Sequence, residues 1–290
     1  MAVLIWTGLA AGCGAGPSGR ARLSVVATTP VLAALARSVT AGVATVDSVM
    51  PAGSDPHGFV PSARDRQKML EAGLLVTNGA GLEQGLRDVI DQASSDGVST
   101  LVAVDSVHVV RDSDGGVDPH FWQDPEAAAE FVRSLAARLA RLDPSHAAIY
   151  RDNAARKVAD LKALTSQVEA ILAQVPVGRR LLVSNHDAYR YFAQRFDLTV
   201  VGSIIAGRST QATPSAAHLA DLAQTMRSQG ICVVFAEESE SAVWAQALAE
   251  TVGPGTQVVK LYAATLPAGG YDAMIRQNAT RIADALARCA

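Results

Sequence analysis

The sequence has no excess of basic charge and lacks the short motifs of several enzyme classes. Its 290 residues carry 25 Lys and Arg against 28 Asp and Glu, a net charge of −3, which argues against a nucleic acid as partner. It contains no phosphate-binding P-loop, no Gly-x-Ser-x-Gly elbow and no His-Glu-x-x-His pair. The glycines Gly79, Gly81 and Gly85 miss the dinucleotide-binding spacing by one residue. Nucleic-acid, nucleotide and serine-hydrolase functions are therefore not indicated.

The only candidate targeting segment is at the start of the chain. Residues 2–11 are apolar and rich in small residues, and the run is too short to span a bilayer as a mature helix. It ends at Gly12-Cys13, which resembles a bacterial lipobox, whose cysteine is lipidated; a cleaved secretory signal with an incidental cysteine is the alternative. In both cases we expect residues 1–20 to be a signal and tether, and the protein to be extracytoplasmic, either periplasmic or lipid-anchored through Cys13.

Cysteine is scarce, with three in the whole chain. Without Cys13 an even pair remains, Cys232 and Cys289, and an exported protein resides where a disulfide can persist. A bridge that pins the last helix to a sheet and two buried free thiols are both compatible with this pattern.

The hydrophobic pattern indicates two α/β lobes. Short β-rich runs alternate with amphipathic segments in each half of the chain, a pattern typical of parallel sheets. The predicted strands are residues 23–27, 43–49, 74–77 and 101–104, then 181–184, 199–202, 231–236 and 257–261. The length of the chain also allows two domains. The sequence predicts an α/β protein with two Rossmann-like lobes, residues 21–143 and 177–290.

The segment between the lobes predicts long helices. Asp124 and Pro125 form a helix start, with a carboxylate at the N-cap and proline in the first turn. After Asp143 and Pro144, residues 145–175 contain no glycine or proline and keep helical apolar spacing, which predicts a helix of roughly 45 Å. We expect this helix, within residues 144–176, to join the lobes as a stiff connection.

Three histidines occur in loops at or near predicted strand ends. His57 and His120 each close an Asp-Pro-His tripeptide, and His186 follows the strand of residues 181–184. Open α/β sheets bind ligands at the carboxyl ends of their strands, and neutral imidazole is the usual protein ligand for zinc. Asp55 is a candidate to orient His57. We predict one divalent-metal site in the interlobe cleft, formed by His57, His120 and His186, whereas His108, His146 and His218 lack such contexts.

These residues resemble a known family. The two Asp-Pro-His tripeptides, the stretches of residues 78–83 and 186–192, and the helical connection are similar to the zinc and manganese substrate-binding proteins of bacterial ABC importers. The resemblance implies two α/β domains joined by one rigid helix, with metal bound by His57, His120 and His186. Because some manganese binders carry a carboxylate at the third position, His186 favours zinc. The resemblance also favours a disulfide between Cys232 and Cys289.

The fourth metal ligand departs from the family pattern. Many members supply an aspartate from a segment that resembles residues 261–266, where this chain has Ala264. Water, Glu237 or Asp272 could complete the site. The long His-rich loop of many zinc members is also missing, since residues 107–117 are short and contain one histidine.

The resemblance implies a monomeric transport protein, not an enzyme. We expect it to bind Zn²⁺ as transported ligand, with Mn²⁺ less favoured, and to deliver the ion to an ABC permease in the membrane. The alternatives are a manganese-binding transport protein of the same family, a zinc-dependent hydrolase and a surface adhesin lipoprotein.

Overall fold

The computed structural model describes residues 22–112, 115–207 and 209–289. Within them the chain forms two lobes, each built on a four-stranded parallel sheet with helices around it. The α/β fold with two parallel sheets and a long helix is therefore confirmed. The predicted leader of residues 1–20 and its Cys13 lie outside the described residues. Among the described residues, no helix combines the length and the apolar character needed to cross a membrane.

The first sheet has the strand order β2-β1-β3-β4. Its strands pair in parallel, so their carboxyl ends share one edge, and the central strands β1 and β3 are almost wholly buried as expected when helices cover both faces. The elements of this lobe are β1 (Ser24–Ala27), α1 (Pro30–Thr40), β2 (Thr45–Ser48), α2 (Ala63–Leu70), β3 (Leu74–Thr77), α3 (Arg87–Ser95) and β4 (Thr100–Val102).

The second sheet repeats this arrangement, with the parallel order β6-β5-β7-β8. Its elements are β5 (Leu181–Ser184), α6 (Arg190–Arg195), β6 (Thr199–Ser203), α7 (Ala216–Ser228), β7 (Val233–Glu237), α8 (Val243–Val252), β8 (Gln257–Leu261) and α9 (Gly270–Ala287). A disulfide joins Cys232, before β7, to Cys289, after α9, with a Cα–Cα distance of 5.5 Å. The bridge suggested by the family resemblance is thus present.

Two helices connect the sheets: α4 (Pro125–Leu142) and α5 (Ala147–Leu172). As predicted, Asp124 caps α4, its carboxylate accepting a hydrogen bond from the backbone N–H of Glu126 (2.8 Å). The predicted helix of residues 145–175 was too long, since α5 has 26 residues, or about 39 Å. At its start, Pro144–His146 form a 3₁₀ turn. At its end, Pro176 disfavours helical conformation in the preceding residue.

The connecting helix α5 packs on both lobes. It contacts the other connecting helix α4, helix α1 of the first lobe and helix α9 of the second, and Lys157 of α5 forms an ion pair with Asp272 of α9 (2.5 Å). One continuous apolar cluster runs from Val25 in β1, through these helices, to Phe235 in β7. The two lobes therefore share a core, which explains why α5 is not an exposed linker.

Five of the eight predicted strands differ from the observed ones by one or two residues at one or both ends. The strands predicted at residues 23–27, 43–49 and 199–202 are β1, β2 and β6, with the bounds given above. The strand predicted at residues 101–104 is β4 (Thr100–Val102), and Val104 lies in a 3₁₀ turn. The strand predicted at residues 231–236 is β7 (Val233–Glu237). This shift makes Glu237 the last residue of β7, at the same carboxyl edge as the loop that carries His186.

Candidate metal centre

His57 lies in the loop between β2 and α2. Asp55 Oδ1 accepts a hydrogen bond from the backbone N–H of His57 (2.9 Å), so the first Asp-Pro-His tripeptide folds as a local turn. The sequence suggested that Asp55 orients the imidazole, but this carboxylate holds the backbone instead. The His57 side chain is buried although much of its loop is exposed.

His120 is the last residue of the second Asp-Pro-His tripeptide, before α4. Asp118 Oδ1 accepts from both the backbone N–H (2.9 Å) and the imidazole Nδ1 (2.8 Å) of His120. The amide of Asn78, which follows β3, donates to the carbonyl of Pro119 (2.9 Å). Glu83 in turn accepts from the backbone N–H groups of Asn78 and Gly79. The carboxyl end of the first sheet thus supports the loop that presents His120.

His186 lies two residues after β5 in the second lobe. Its Nδ1 is hydrogen-bonded to a carboxylate oxygen of Glu237, the last residue of β7. The hydroxyl of Ser184 donates to the His186 carbonyl (2.7 Å). Because β5 and β7 are adjacent parallel strands, their carboxyl ends place the imidazole beside the carboxylate.

The three imidazoles converge between the lobes. His120 Nε2 lies 3.3 Å from His57 Nε2 and 3.3 Å from His186 Nε2, and the ring centroids are 5.1 to 5.4 Å apart. One nitrogen from each ring lies within 4.8 Å of the other two. Among the described residues, no other set of three His, Cys, Asp or Glu side chains comes together in this way. All three rings are at least 96% buried.

The surroundings of the rings bear on their protonation. Burial, together with the nearby His120 and His186, lowers the pKa of His57 to about 2, so this ring stays neutral. Burial acts to lower the pKa of His186 as well, but the charge and hydrogen bond of Glu237 outweigh it and the pKa is raised. Carboxylates at Nδ1 of His120 and His186 direct their Nε2 lone pairs toward the shared centre, an arrangement typical of metal-binding histidines.

None of the candidate fourth ligands among the side chains belongs to this group. Glu237 contacts the far nitrogen of His186, and Asp272 is paired with Lys157. Ala264 is buried and offers no donor. Reasoning from the sequence missed Asp118 and Glu237 as orienting groups; for Asp118, the repeated Asp-Pro-His tripeptide was the available signal.

The other three described histidines lie elsewhere. His108 is exposed in the loop after β4, and its backbone N–H donates to Glu130. His146 contacts Asp143 at the start of α5 (2.7 Å). His218 Nε2 lies 2.8 Å from the carbonyl of Ser203. None of them is part of the three-histidine group.

Known proteins resemble this chain over most of its length. The sequence profile of the family ZnuA, zinc-uptake complex component A, periplasmic, matches residues 25–285. The manganese-binding lipoprotein MntA of Bacillus subtilis is 30% identical over 303 residues, covering 98% of this chain and 97% of that protein. The iron-binding protein YfeA of Yersinia pestis is 27% identical over 228 residues, covering 76% and 71%.

Solved structures show the same fold. The periplasmic zinc-binding protein TroA of Treponema pallidum superposes with a TM-score of 0.85 at 24% identity, covering 91% of this chain and 99% of that one. At this identity the match supports the architecture. The extent of the profile match and the full-length similarity to the Bacillus subtilis relative place this chain in the ZnuA family, the metal-binding substrate-binding proteins of ABC importers, which are transport components and not enzymes.

Proposed function

We propose that this protein captures Zn²⁺ outside the cytoplasm and delivers it to an ABC permease. His57, His120 and His186 would hold the ion, which is the cargo of the protein and not a catalytic cofactor. The spacing of the ring nitrogens carries the proposal. Two Zn–N bonds of about 2.05 Å at a tetrahedral angle separate their nitrogens by roughly 3.3 Å, the distance between His120 Nε2 and each of its two neighbours.

The ligand set favours zinc over manganese. Three imidazoles suit Zn²⁺, whereas Mn²⁺ prefers oxygen ligands and lies at the weak end of the affinity order for divalent metals. Among the described residues, no carboxylate belongs to the group of ligand atoms formed by the three histidines, and Ala264 stands where the family resemblance expects an aspartate. The named relatives are called manganese-, iron- and zinc-binding, so the names of relatives leave the metal open. We propose water as the fourth ligand.

In the proposed mechanism the protein binds the metal ion and releases it, and it catalyses no reaction. Buried imidazoles provide the nitrogens, and the carboxylates of Asp118 and Glu237 offset part of the charge of the ion through the rings of His120 and His186. We propose that residues 21–143 and 177–290 act as the two halves of the site, that residues 144–176 connect them, and that the loaded protein docks as a monomer. Anchoring through Cys13 would hold it near the permease.

The test compares metal binding by the wild type and single His→Ala variants. Removing His57, His120 or His186 should lower Zn²⁺ affinity at least about tenfold, the effect of about 1.4 kcal/mol. His108→Ala is the control, because His108 is exposed and outside the group. Competition titration with a chelating dye gives the affinities, and elemental analysis of protein from its native host identifies the metal carried. Unchanged Zn²⁺ affinity in all three variants would refute the assignment of the three histidines as metal ligands. Tighter binding of Mn²⁺ than of Zn²⁺ would indicate that the cargo is Mn²⁺ and not Zn²⁺.

A further inference from the structure

The imidazoles of His120 and His186 are held at fixed positions relative to each other. His120 belongs to the first lobe in sequence, but the residues after it bind the second lobe: the Trp122 indole N–H donates to the carbonyl of Ala263 (2.7 Å), and the Gln123 amide donates to the same carbonyl (2.8 Å). The hydroxyl of Tyr271 donates to the Trp122 carbonyl (2.7 Å). These contacts are buried, so His120 is fixed relative to His186.

His57 is held differently from the other two rings. Among the described residues, its Nδ1 has no hydrogen-bond partner, whereas those of His120 and His186 contact Asp118 and Glu237. Its loop is partly exposed: Gly58 is exposed, and Val60, three residues after His57, is 77% exposed. The main polar contact of the His57 backbone is with Asp55 Oδ1. The position of this ring therefore depends on what holds Asp55.

Asp55 is held by a segment of the second lobe, which we call the strap (residues 204–211, with residue 208 outside the described part). At its start the strap pairs with the chain around His186: Ile205 N–H donates to the Asn185 carbonyl (2.8 Å), and Asp187 N–H donates to the Gly207 carbonyl (3.2 Å). At its other end, the Thr210 hydroxyl (2.6 Å) and the Gln211 amide (3.1 Å) donate to Asp55 Oδ2.

Asp55 thus connects the two lobes through its two carboxylate oxygens. Oδ1 holds the backbone of His57, and Oδ2 accepts two donors from the strap, which is itself paired beside His186. Hydrogen bonds to a carboxylate are about twice as strong as neutral ones. They lie at a partly exposed position, however, where water competes for the same groups. The buried Trp122 and Gln123 contacts have no such competitor.

Glycine at position 58 allows this contact to form. A Cβ at Gly58 would lie 2.6 Å from Gln211 Nε2 and 3.2 Å from Asp55 Oδ2. The backbone next to His57 therefore leaves room for the Gln211 amide, which a methyl group would displace.

We propose that Asp55, Thr210 and Gln211 form a clamp that positions His57, and that opening of this clamp makes His57 the first ligand to leave when metal is released. The proposal rests on the metal-binding function proposed above. His120 and His186 remain together as a two-ligand platform while the His57 loop moves. Thr210 and Gln211 are positioning residues, because they act on the ion through Asp55 and His57.

The test measures the rate of Zn²⁺ release into excess chelator by stopped flow. The double variant Thr210→Val with Gln211→Ala removes both hydrogen-bond donors to Asp55. Zn²⁺ release should become about tenfold faster, the scale of one lost charge-assisted hydrogen bond. The rate of Zn²⁺ association should not change. Thr251→Val and Gln92→Ala are matched controls, since they remove exposed groups with local contacts only. Wild-type release from the double variant would overturn the clamp.

Two further comparisons separate a clamp from a general loosening of the fold. Gly58→Ala should speed release in the wild type but have little effect in Gln211→Ala, where no amide stands in the way; equal acceleration in both backgrounds would contradict the proposal. In metal-free protein, hydrogen exchange should be faster in residues 51–60 than in residues 118–123, and the double variant should widen the difference. A wild type that binds no zinc would refute the proposed function, whereas zinc binding with unaltered release refutes the clamp alone.

Discussion

The carboxylate of Asp118 is the contact through which the site can be weakened without removing a ligand. Its Oδ1 accepts from Nδ1 and from the backbone N–H of His120 at 2.8 and 2.9 Å, and its side chain is fully buried. Oδ2 has no hydrogen-bond partner among the described residues. In Asp118→Asn the oxygen could still accept from His120. The negative charge behind the imidazole is lost, and a buried amide N–H₂ replaces the partnerless Oδ2.

Loss of a carboxylate behind a metal-binding histidine lowers metal affinity about 10- to 100-fold, which corresponds to about 1.4 to 2.8 kcal/mol. We expect this reduction in Zn²⁺ affinity for Asp118→Asn, measured by competition with a chelating dye. Because ligand binding stabilises the folded state by linkage, the increase in unfolding free energy on zinc addition should shrink by the same amount. Chemical unfolding with and without zinc therefore checks the titration independently.

Asp143→Asn is the matched control for this experiment. Asp143 also contacts the Nδ1 of a histidine, His146, at 2.7 Å, but at the start of α5, outside the three-histidine group. It should change the unfolding free energy and leave Zn²⁺ affinity as in the wild type. Wild-type affinity in Asp118→Asn, or an equal loss in Asp143→Asn, would refute the role assigned to the Asp118 carboxylate.

Three other predictions follow from the structure. Replacing Cys232 and Cys289 by serine should lower the unfolding free energy by about 4 kcal/mol, the loop-closure entropy of a bridge between residues 57 positions apart, as measured by urea unfolding. Because the bridge lies at the opposite end of β7 from the three histidines, Zn²⁺ affinity should not change. A fall in Zn²⁺ affinity would contradict this. The hydrogen bond from Ser145, with those from Tyr150 and His146, lowers the pKa of Asp143 from 3.8 to about 2. The stabilising contribution of the ionised Asp143 side chain should be complete above pH 3.8 and disappear as the pH falls to about 2. The difference in unfolding free energy between wild type and Asp143→Asn should therefore shrink over this range. A difference that stays constant would contradict this prediction. Ala264→Asp should supply the oxygen ligand that the family resemblance expects and raise Mn²⁺ affinity relative to Zn²⁺, and an unchanged ratio in competition titrations would show that position 264 does not reach the ion.

The sequence was sufficient for the features that depend on local or periodic patterns. Apolar runs of strand length separated by amphipathic segments predicted both parallel sheets, because a strand buried on both faces must be apolar throughout. The start of α4 was predictable from Asp124 and Pro125, since capping is a local interaction. The placement of His57, His120 and His186 near strand ends indicated a shared site, because parallel strands end on one edge of a sheet.

The details of the site depended on contacts between residues far apart in the chain. Glu237 was a candidate metal ligand in the sequence, but the adjacency of β5 and β7 places it on the far nitrogen of His186. The attachment of Trp122 to Ala263 joins residues 141 positions apart, and the contact between Asp55 and Thr210 joins residues 155 apart. Residue type and spacing carry no signal for such pairs, because only the packing of the two lobes around α5 brings them together. The sequence by itself therefore determined the fold and indicated which three histidines share a site. Only the tertiary structure decided which nitrogen of His120 and of His186 faces the shared centre, and which side chains hold the rings in place.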